Sequence, residues 1–189
     1  RGPLSGNGGS TITQQTAKLI CLGVNYDPEV WKSERDYERE CRRSTLWRKI
    51  KEATFAVAME LKFSKDEILT IYLNRAFLGA GARGFEAAAQ RYFGKSATQV
   101  NAAEAAMMAG LLKAPSRLAP TDNLVGAQAR AAIVIDLMQQ ENYLSKAEAT
   151  SSIAQPATLT AAATDRAGGY FADWVMASGP EFFTRNTTE

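Results

Sequence analysis

The sequence contains no histidine, only two cysteines and no long apolar run. The absence of histidine excludes Ser-His-Asp triads, Cys-His dyads and HExxH zinc sites. Two cysteines, Cys21 and Cys41, are too few for a structural zinc site. Because no window approaches about 18 consecutive apolar residues, no transmembrane helix is predicted.

The two cysteines leave two interpretations open. In the first interpretation they form one disulfide, which closes a loop of about 20 residues and contributes roughly 3 kcal/mol to stability in the chain-entropy account. Alternatively, they are two buried thiols, and the residues alone do not decide between these states.

The net charge of +2 is too small to predict a nucleic-acid partner. With 189 residues, 46% hydrophobic and 22% charged, the composition is that of an ordinary globular domain with a core. The basic residues are nevertheless concentrated in one segment. They form either a solvated face or an anion site. Six of them lie within thirteen positions: Arg39, Arg42, Arg43, Arg48, Lys49 and Lys51.

The pattern of the chain predicts an all-α protein, because helical periodicity dominates and no segment alternates like a strand. Four capping boxes, in which a Ser, Thr or Asn is followed three residues later by Glu or Gln, mark helix starts. They begin at Thr11, Ser64, Asn101 and Ser145. Three glycines at 79, 81 and 84 indicate a flexible loop.

The helix predicted over residues 44–63 is amphipathic. At 100° per residue its apolar residues share one side, which consists of Trp47, Ile50, Thr54, Val57, Ala58 and Leu61. Arg48 and Glu52 fall on the opposite side, with Lys49 at its edge. As a surface pair at i and i+4, Arg48 and Glu52 would contribute only about 0.2–0.5 kcal/mol.

The stretch GGSTITQQTAKL, residues 8–19, combines glycines and small hydrogen-bonding side chains with one lysine, Lys18, at a helix start. The first turn of a helix has unpaired N–H groups and partial positive charge, which favour a phosphate group. A bare glycine turn with an ordinary N-cap is the simpler interpretation, but the full run is more specific than that.

This run resembles the second signature of the peptidoglycan glycosyltransferases (glycosyltransferase family 51), the domain found in class A penicillin-binding proteins. Further segments resemble the later motifs in the family's order, and the resemblance spans roughly residues 8–140. They are RKIKE (48–52), KDEILTIYLN (65–74), GARGFEAAAQRYFGK (81–95), EAAMMAGLLKAP (104–115), and Arg130 with IVI (133–135) and Met138. In the segment KDEILTIYLN the family's central glutamate is replaced by Thr70.

The resemblance implies a lysozyme-like helical fold with a small membrane-facing subdomain. It also implies polymerisation of lipid II into glycan strands, with release of undecaprenyl pyrophosphate. In that chemistry a glutamate deprotonates the acceptor hydroxyl, and cationic groups stabilise the leaving pyrophosphate.

The resemblance also implies a set of site residues. Glu52 would be the second catalytic glutamate, acting directly or through a divalent cation (Mg or Mn), and no residue is assigned as a metal ligand. The pyrophosphate would be bound by Ser10, Thr11, Gln14, Gln15, Lys18, Arg43 (or Arg42), Arg48 and Lys49. Lys65, Asn74 and Arg130 are further candidates, although core packing is a sufficient explanation for the helix that carries Lys65, Tyr72 and Asn74.

Two expected features are absent from the sequence. The family's first motif, ED-x-x-F-x-x-H, would precede residue 8, but no acidic residue precedes Asp27. We therefore expect an amino-terminally truncated domain over residues 1–150 that does not polymerise lipid II alone. No Ser-x-x-Lys occurs, so no penicillin-reactive serine is predicted. Residues 151–189 would be an extension leading toward a downstream domain.

The implied partners are lipid II, the growing glycan chain, the membrane surface and moenomycin-type inhibitors, at the periplasmic face of the bacterial inner membrane. Residues 22–46 would supply the membrane-facing insertion, and an extracytoplasmic setting favours a Cys21–Cys41 bridge across it. Two alternatives stay open. One is a lysozyme-like lytic enzyme, and the other is a non-catalytic helical interaction module.

Overall fold

The computed structural model describes residues 10–42 and 45–164, and within them every regular element is helical. The one extended feature in this part of the chain is an isolated antiparallel bridge between Phe77 and Arg83. The all-α prediction is therefore confirmed. The α-helices are α1 (Ile12–Leu19), α2 (Glu34–Arg42), α3 (Leu46–Lys62), α4 (Lys65–Arg75), α5 (Phe85–Phe93), α6 (Ala102–Leu111), α7 (Leu124–Gln140), α8 (Lys146–Ala154) and α9 (Ala161–Thr164). Short 3-10 turns occupy Cys21–Gly23 and Ala97–Gln99.

The predicted helix starts are confirmed by their hydrogen bonds. In each of the four predicted boxes the N-cap side chain accepts from the backbone N–H three residues on, and the Glu or Gln side chain accepts from the N-cap N–H. A fifth box, between Ser96 and Gln99, opens the second 3-10 turn. Local hydrogen-bonding residues thus decide where these helices begin.

The chain divides into two compact units. Among the described residues, the first unit contains α1–α4 and the second contains α5–α9. In the first unit α1 packs against both α3 and α4. Its small core consists of Ala17, Met59 and Ile68, with Ile20, Leu22, Phe55 and Phe63 packed around them. In the second unit α6 packs on α7 and α8 around fully buried Met107, Met108, Leu111 and Ile135.

The glycines at 79 and 84, which follow α4, allow close packing of the backbone. From the sequence, a flexible loop was predicted in this segment. Gly79 and Gly84 have φ angles of +88° and +90°. A Cβ atom on Gly79 would lie 2.5 Å from the carbonyl oxygen of Pro115, and one on Gly84 would lie 2.7 Å from that of Asn74. Only glycine combines this backbone conformation with such close approach.

None of the helices in the described ranges is both long enough and apolar enough to cross a bilayer.

Tyr92 supports the second unit through a buried hydroxyl. The side chain is fully buried, and its hydroxyl donates to the carbonyl oxygen of Leu78 at 2.8 Å. Burial raises the pKa of Tyr92 from 10 to about 12. The folded state therefore retains the phenolic proton at a pH where the unfolded chain releases it.

We expect Tyr92→Phe to lower the free energy of unfolding by about 1–2 kcal/mol, because the carbonyl of Leu78 loses its donor. Since the folded pKa is raised, the contribution of Tyr92 is complete below pH 10 and is lost as the pH rises toward about 12. Urea unfolding at neutral and alkaline pH tests both points. A variant whose stability falls as steeply as the wild type over this alkaline range would contradict the assignment.

Candidate active site

Backbone N–H groups at the amino end of α1 are capped by side chains of the same segment. Thr11 Oγ1 accepts from the N–H of Gln14 at 3.2 Å, and Gln14 Oε1 accepts from the N–H of Thr11 at 3.3 Å. On the helical wheel, Thr11, Gln14, Gln15 and Lys18 share one face of α1. The buried Thr13, Thr16 and Ala17 lie on the other side. The face that the sequence assigns to an anion is therefore directed away from the core of the unit.

Lys49 joins the start of α1 to α3. Its Nζ donates to Ser10 Oγ at 2.6 Å and to Glu52 Oε2 at 3.3 Å. The side chain of Lys49 is 51% exposed, so the ammonium group stays accessible to a ligand. Ser10 and Lys49 are 39 residues apart in sequence, and this contact brings the two predicted halves of the site together.

Glu52 is a desolvated carboxylate between two cations. Its Oε1 lies 3.3 Å from Arg48 Nη2, and its Oε2 lies 3.3 Å from Lys49 Nζ. The side chains of Arg48 and Glu52 are only 13% and 7% exposed, so the interpretation as a surface pair is wrong. A buried carboxylate of this kind needs its cationic partners to offset desolvation. The three side chains together carry one net positive charge.

The start of α3 is fixed next to this cluster. Thr45 is the N-cap, and its Oγ1 accepts from the N–H of Arg48 at 3.2 Å. Arg48, Lys49 and Glu52 follow within the first two turns of α3. The spacing of three and four residues places both cations beside the glutamate.

Tyr72 on α4 supports the same region and was not among the predicted site residues. Its buried hydroxyl donates to Gln15 Oε1 at 3.3 Å, and Gln15 Nε2 donates to the carbonyl oxygen of Ser10 at 3.3 Å. Burial raises the pKa of Tyr72, which keeps the donor proton in place. The signal in the sequence was the helical spacing of Tyr72 from Ile68, which is also buried on α4.

A second network holds α1, α3 and α4 together and involves the candidate Lys65. Glu60 Oε1 accepts from Thr13 Oγ1 and from Lys65 Nζ, both at 2.7 Å. These hydrogen bonds, Lys65 first, lower the pKa of Glu60. Glu60 lies eight residues beyond Glu52 on α3, about 12 Å along the helix axis. In this structure Lys65 is thus engaged in a contact between helices.

The other candidates lie in different surroundings. Lys18 is exposed in the last turn of α1, on the face of Thr11, and its sharing of an anion with Arg48 stays a prediction. Asn74 is exposed, and its carbonyl oxygen packs against Gly84. Arg130 lies on α7 in the second unit, where its side chain packs over Gly110. Arg42 ends α2, and Arg43 lies outside the described residues.

Cys21 and Cys41 are joined in a disulfide, with their Cα atoms 5.2 Å apart. Within the closed segment, the rings of Tyr26 and Trp31 both pack edge-on against Tyr37 at centroid distances of 5.8 Å. The hydroxyl of Tyr37 donates to the carbonyl oxygen of Val24. The bridge and the aromatic contacts fix the fold of this segment, and its insertion into a membrane stays a prediction.

The divalent cation that the resemblance implies at the pyrophosphate stays a prediction. Across residues 10–42 and 45–164 no three His, Cys, Asp or Glu side chains are grouped so that they could hold a metal ion. Both oxygens of Glu52 face a cationic side chain. Within this cluster the carboxylate of Glu52 is paired with Arg48 and Lys49.

A family model described as Transglycosylase matches residues 3–139. Penicillin-binding protein 1A of Aquifex aeolicus (strain VF5) is 38% identical over 168 residues, covering 89% of this chain and 21% of that protein. Penicillin-binding protein 1A of Escherichia coli (strain K12) is 42% identical over 139 residues, covering 74% of this chain and 14% of that protein.

A crystal structure of penicillin-binding protein 1A from Haemophilus influenzae also matches, with 39% identity, 54% coverage of this chain, 16% coverage of that chain and a TM-score of 0.49. This chain therefore spans between 14% and 21% of the length of these relatives.

Proposed function

The chain belongs to the transglycosylase family, and from this membership we propose that it provides the pyrophosphate-binding part of a peptidoglycan glycosyltransferase. Its substrate is lipid II, and its product is a glycan strand with release of undecaprenyl pyrophosphate. The observation that carries the proposal is the cluster of Ser10, Lys49, Glu52 and Arg48 at the amino ends of α1 and α3.

The cluster suits stabilisation of a leaving diphosphate. Negative charge develops on the leaving pyrophosphate as the glycosidic carbon is transferred, and preorganised cations lower the energy of that state. The half-exposed Lys49 can turn from Ser10 Oγ to a phosphate oxygen, while Arg48 is held by Glu52. The amino end of α1 adds a favourable helix dipole.

In this proposal Glu52 organises the cations, and the acceptor hydroxyl is deprotonated by another group. Its carboxylate oxygens are 3.3 Å from Arg48 and from Lys49, which fixes both cations beside the turn at Ser10. The family's base belongs to its first motif, which the 189 residues do not contain. A divalent cation, if it takes part, enters with the substrate's own phosphate oxygens as ligands.

The wider assignments belong to the same proposal. A lipid-linked substrate requires a membrane surface, which places the protein at the periplasmic face of the bacterial inner membrane. The growing glycan chain is the donor. Moenomycin, a phosphoglycolipid, is expected to occupy the same cationic cluster because its phosphate meets the same charges.

We expect Lys49→Ala and Lys18→Ala each to weaken binding of moenomycin and of lipid II about tenfold, because each removes one charge-assisted contact. Isothermal titration calorimetry in detergent, without a bilayer, measures the change. The side chain of Lys49 is 51% exposed and Lys18 is also exposed, so the fold should be unaffected.

Lys62→Ala is the matched control. It removes one exposed lysine from the same helix, about 20 Å from Lys49 along the axis. Its affinity should stay at the wild-type value. Wild-type affinity in Lys49→Ala and Lys18→Ala, or an equal loss in all three variants, would refute the site.

A further inference from the structure

The turn that follows α1 has a left-handed backbone. Cys21 and Leu22 have φ angles of +53° and +55°, and Gly23 follows at +75°. Only glycine adopts this conformation without a steric penalty, and two successive residues with side chains rarely do so. Strained residues of this kind persist only where the surrounding structure holds them, and they are concentrated at active sites and switch regions.

Two sets of contacts hold this turn. On one side Leu22 packs against the core of the first unit. Gly23 lies so close to α3 that a Cβ atom there would be 3.2 Å from Cζ of Phe55. On the other side the disulfide joins Cys21 to Cys41 in α2. Packing thus fixes Leu22 and Gly23, whereas the bridge acts on Cys21 itself.

The attachment of α2 depends on the same bridge. All of its residues except Tyr37 and Cys41 are charged, so it has little apolar surface with which to pack. Tyr37 contacts Tyr26, Trp31 and the carbonyl of Val24, which all belong to the loop that the bridge closes. A helix of nine residues is not stable by itself in water. Cys41 is therefore the residue that ties α2 to the end of α1.

The last turn of α1 carries Lys18, one of the cations assigned to the diphosphate. This helix has only eight residues, and its last turn is closed by the N–H of Ile20, which donates to the carbonyl oxygen of Thr16 at 3.0 Å. Cys21 follows Ile20 directly in the sequence. The position of Lys18 therefore depends on a turn whose conformation the bridge helps to impose.

We propose that the Cys21–Cys41 bridge is a redox-sensitive switch that sets the affinity of the site for a diphosphate. When the bridge is closed, it holds the left-handed turn and keeps α2 against α1. When it is open, Cys21 and Leu22 return to ordinary backbone conformations, so that Lys18 loses its fixed position and the affinity falls. The effect on affinity rests on the proposed function, whereas the opening of the turn does not.

The reductant of this switch is a dithiol, either a protein or a small molecule. Its first thiolate attacks one sulfur of the bridge, the S–S bond breaks, and a mixed disulfide forms. Its second thiolate then displaces the protein sulfur, and the reductant leaves as a disulfide. Two electrons and two protons have passed to Cys21 and Cys41, and an oxidised dithiol reverses the exchange.

NMR relaxation tests the opening of the turn without any ligand, in the oxidised chain and in dithiothreitol. We expect backbone order parameters over residues 18–24 to fall from about 0.85 to below about 0.6 on reduction, while those of α3 stay near the higher value. Circular dichroism verifies that the helices remain folded in both states. Unchanged order parameters over residues 18–24, or an equal fall throughout α3, would overturn the proposal.

Titration with inorganic pyrophosphate tests the effect on affinity. We expect binding to be about tenfold weaker in dithiothreitol, because one charge-assisted contact is lost. In Lys18→Ala the two redox states should bind equally, since the bridge acts through Lys18. A variant with both Cys21→Ser and Cys41→Ser should match the reduced wild type. Replacing Cys21→Gly together with Cys41→Ser should restore most of the affinity, because glycine accepts the left-handed conformation without a bridge.

The coupling must also act in the opposite direction. If pyrophosphate binds the oxidised form about tenfold more tightly, a saturating concentration should lower the reduction potential of the bridge by about 30 mV. Equilibration in mixtures of reduced and oxidised dithiothreitol, followed by alkylation and intact-mass measurement, gives this potential. A potential that pyrophosphate leaves unchanged would contradict the switch.

The outcomes separate this inference from the proposed function. Equal pyrophosphate affinity in both redox states, with binding intact, would reject the switch and leave the proposed function standing. A glycine variant that binds no better than the serine variant would reject the role of the left-handed turn. An oxidised chain that binds neither pyrophosphate nor moenomycin would reject the proposed function together with the effect on affinity, and the order parameters would decide the opening of the turn.

Discussion

Replacing Glu52 by alanine is expected to lower the free energy of unfolding by about 3 kcal/mol, the largest effect expected from a single side chain in the site. Its carboxylate is buried and lies 3.3 Å from both Arg48 and Lys49. Removal leaves two neighbouring cations, one of them 13% exposed, without the charge that offset their repulsion and desolvation. Urea unfolding followed by circular dichroism measures the loss.

Two further variants separate charge from packing. Glu52→Gln keeps the size and loses the charge, so we expect it to retain part of the stability but not the ion pairs. Glu60→Ala removes a glutamate from the same helix that is also bound by a lysine and a hydroxyl, but whose side chain is 42% exposed. Water screens that pair, so its loss should be clearly smaller. Equal losses in Glu52→Ala and Glu60→Ala would contradict the buried charge cluster.

Binding of pyrophosphate and transfer of the glycan should respond differently to replacement of Glu52. Soluble pyrophosphate should bind as tightly as in the wild type or more tightly, because Arg48 and Lys49 lose a competing anion. Glycan transfer, measured in a polymerising protein that contains this domain, should fall by orders of magnitude because the cations are no longer positioned. Weaker pyrophosphate binding in a folded Glu52→Gln protein would argue that Glu52 contributes to binding directly.

Reduction of the Cys21–Cys41 bridge is expected to lower the free energy of unfolding by about 3 kcal/mol. The bridge joins residues 20 positions apart, and opening it restores conformational freedom to the unfolded chain. The enclosed contacts of Tyr37 with Tyr26 and Trp31 should weaken with it. Urea unfolding with and without dithiothreitol measures the effect.

A variant with both cysteines replaced by serine is the control for this experiment. Its stability should match that of the reduced wild type and should not respond to dithiothreitol. Intact-mass measurement after alkylation reports the state of the thiols directly. Two free thiols in the wild type under oxidising conditions would exclude the bridge.

Helix starts were predictable because their causes are local. A Thr, Ser or Asn side chain that caps a helix needs only the N–H groups two or three residues further on. The order of the family's motifs likewise predicted that Ser10, Lys49, Arg48 and Glu52 lie together, and their side chains are in contact in the structure. Local hydrogen bonding and motif order require no knowledge of packing.

Contacts between residues that are far apart in the sequence could not be predicted from it. The contact of Tyr72 with Gln15 spans 57 positions, and that of Thr13 with Glu60 spans 47. Nothing in either local sequence specifies its partner, since both depend on how α1 lies across α3 and α4. Lys65 illustrates the limit, because the sequence named it only as a further candidate and did not indicate its contact with Glu60.

By itself, the sequence determined the helical class, the helix starts and the two-sided character of α3, because these follow from hydrogen bonds and periodicity within a few residues. Only the tertiary structure decided that the charged side of α3 faces inward and the apolar side outward. Helical periodicity separates two faces without saying which one meets protein. That choice depends on the neighbours, and here Arg48 and Lys49 offset the desolvation of Glu52, so the polar face can be buried while the apolar face remains outside.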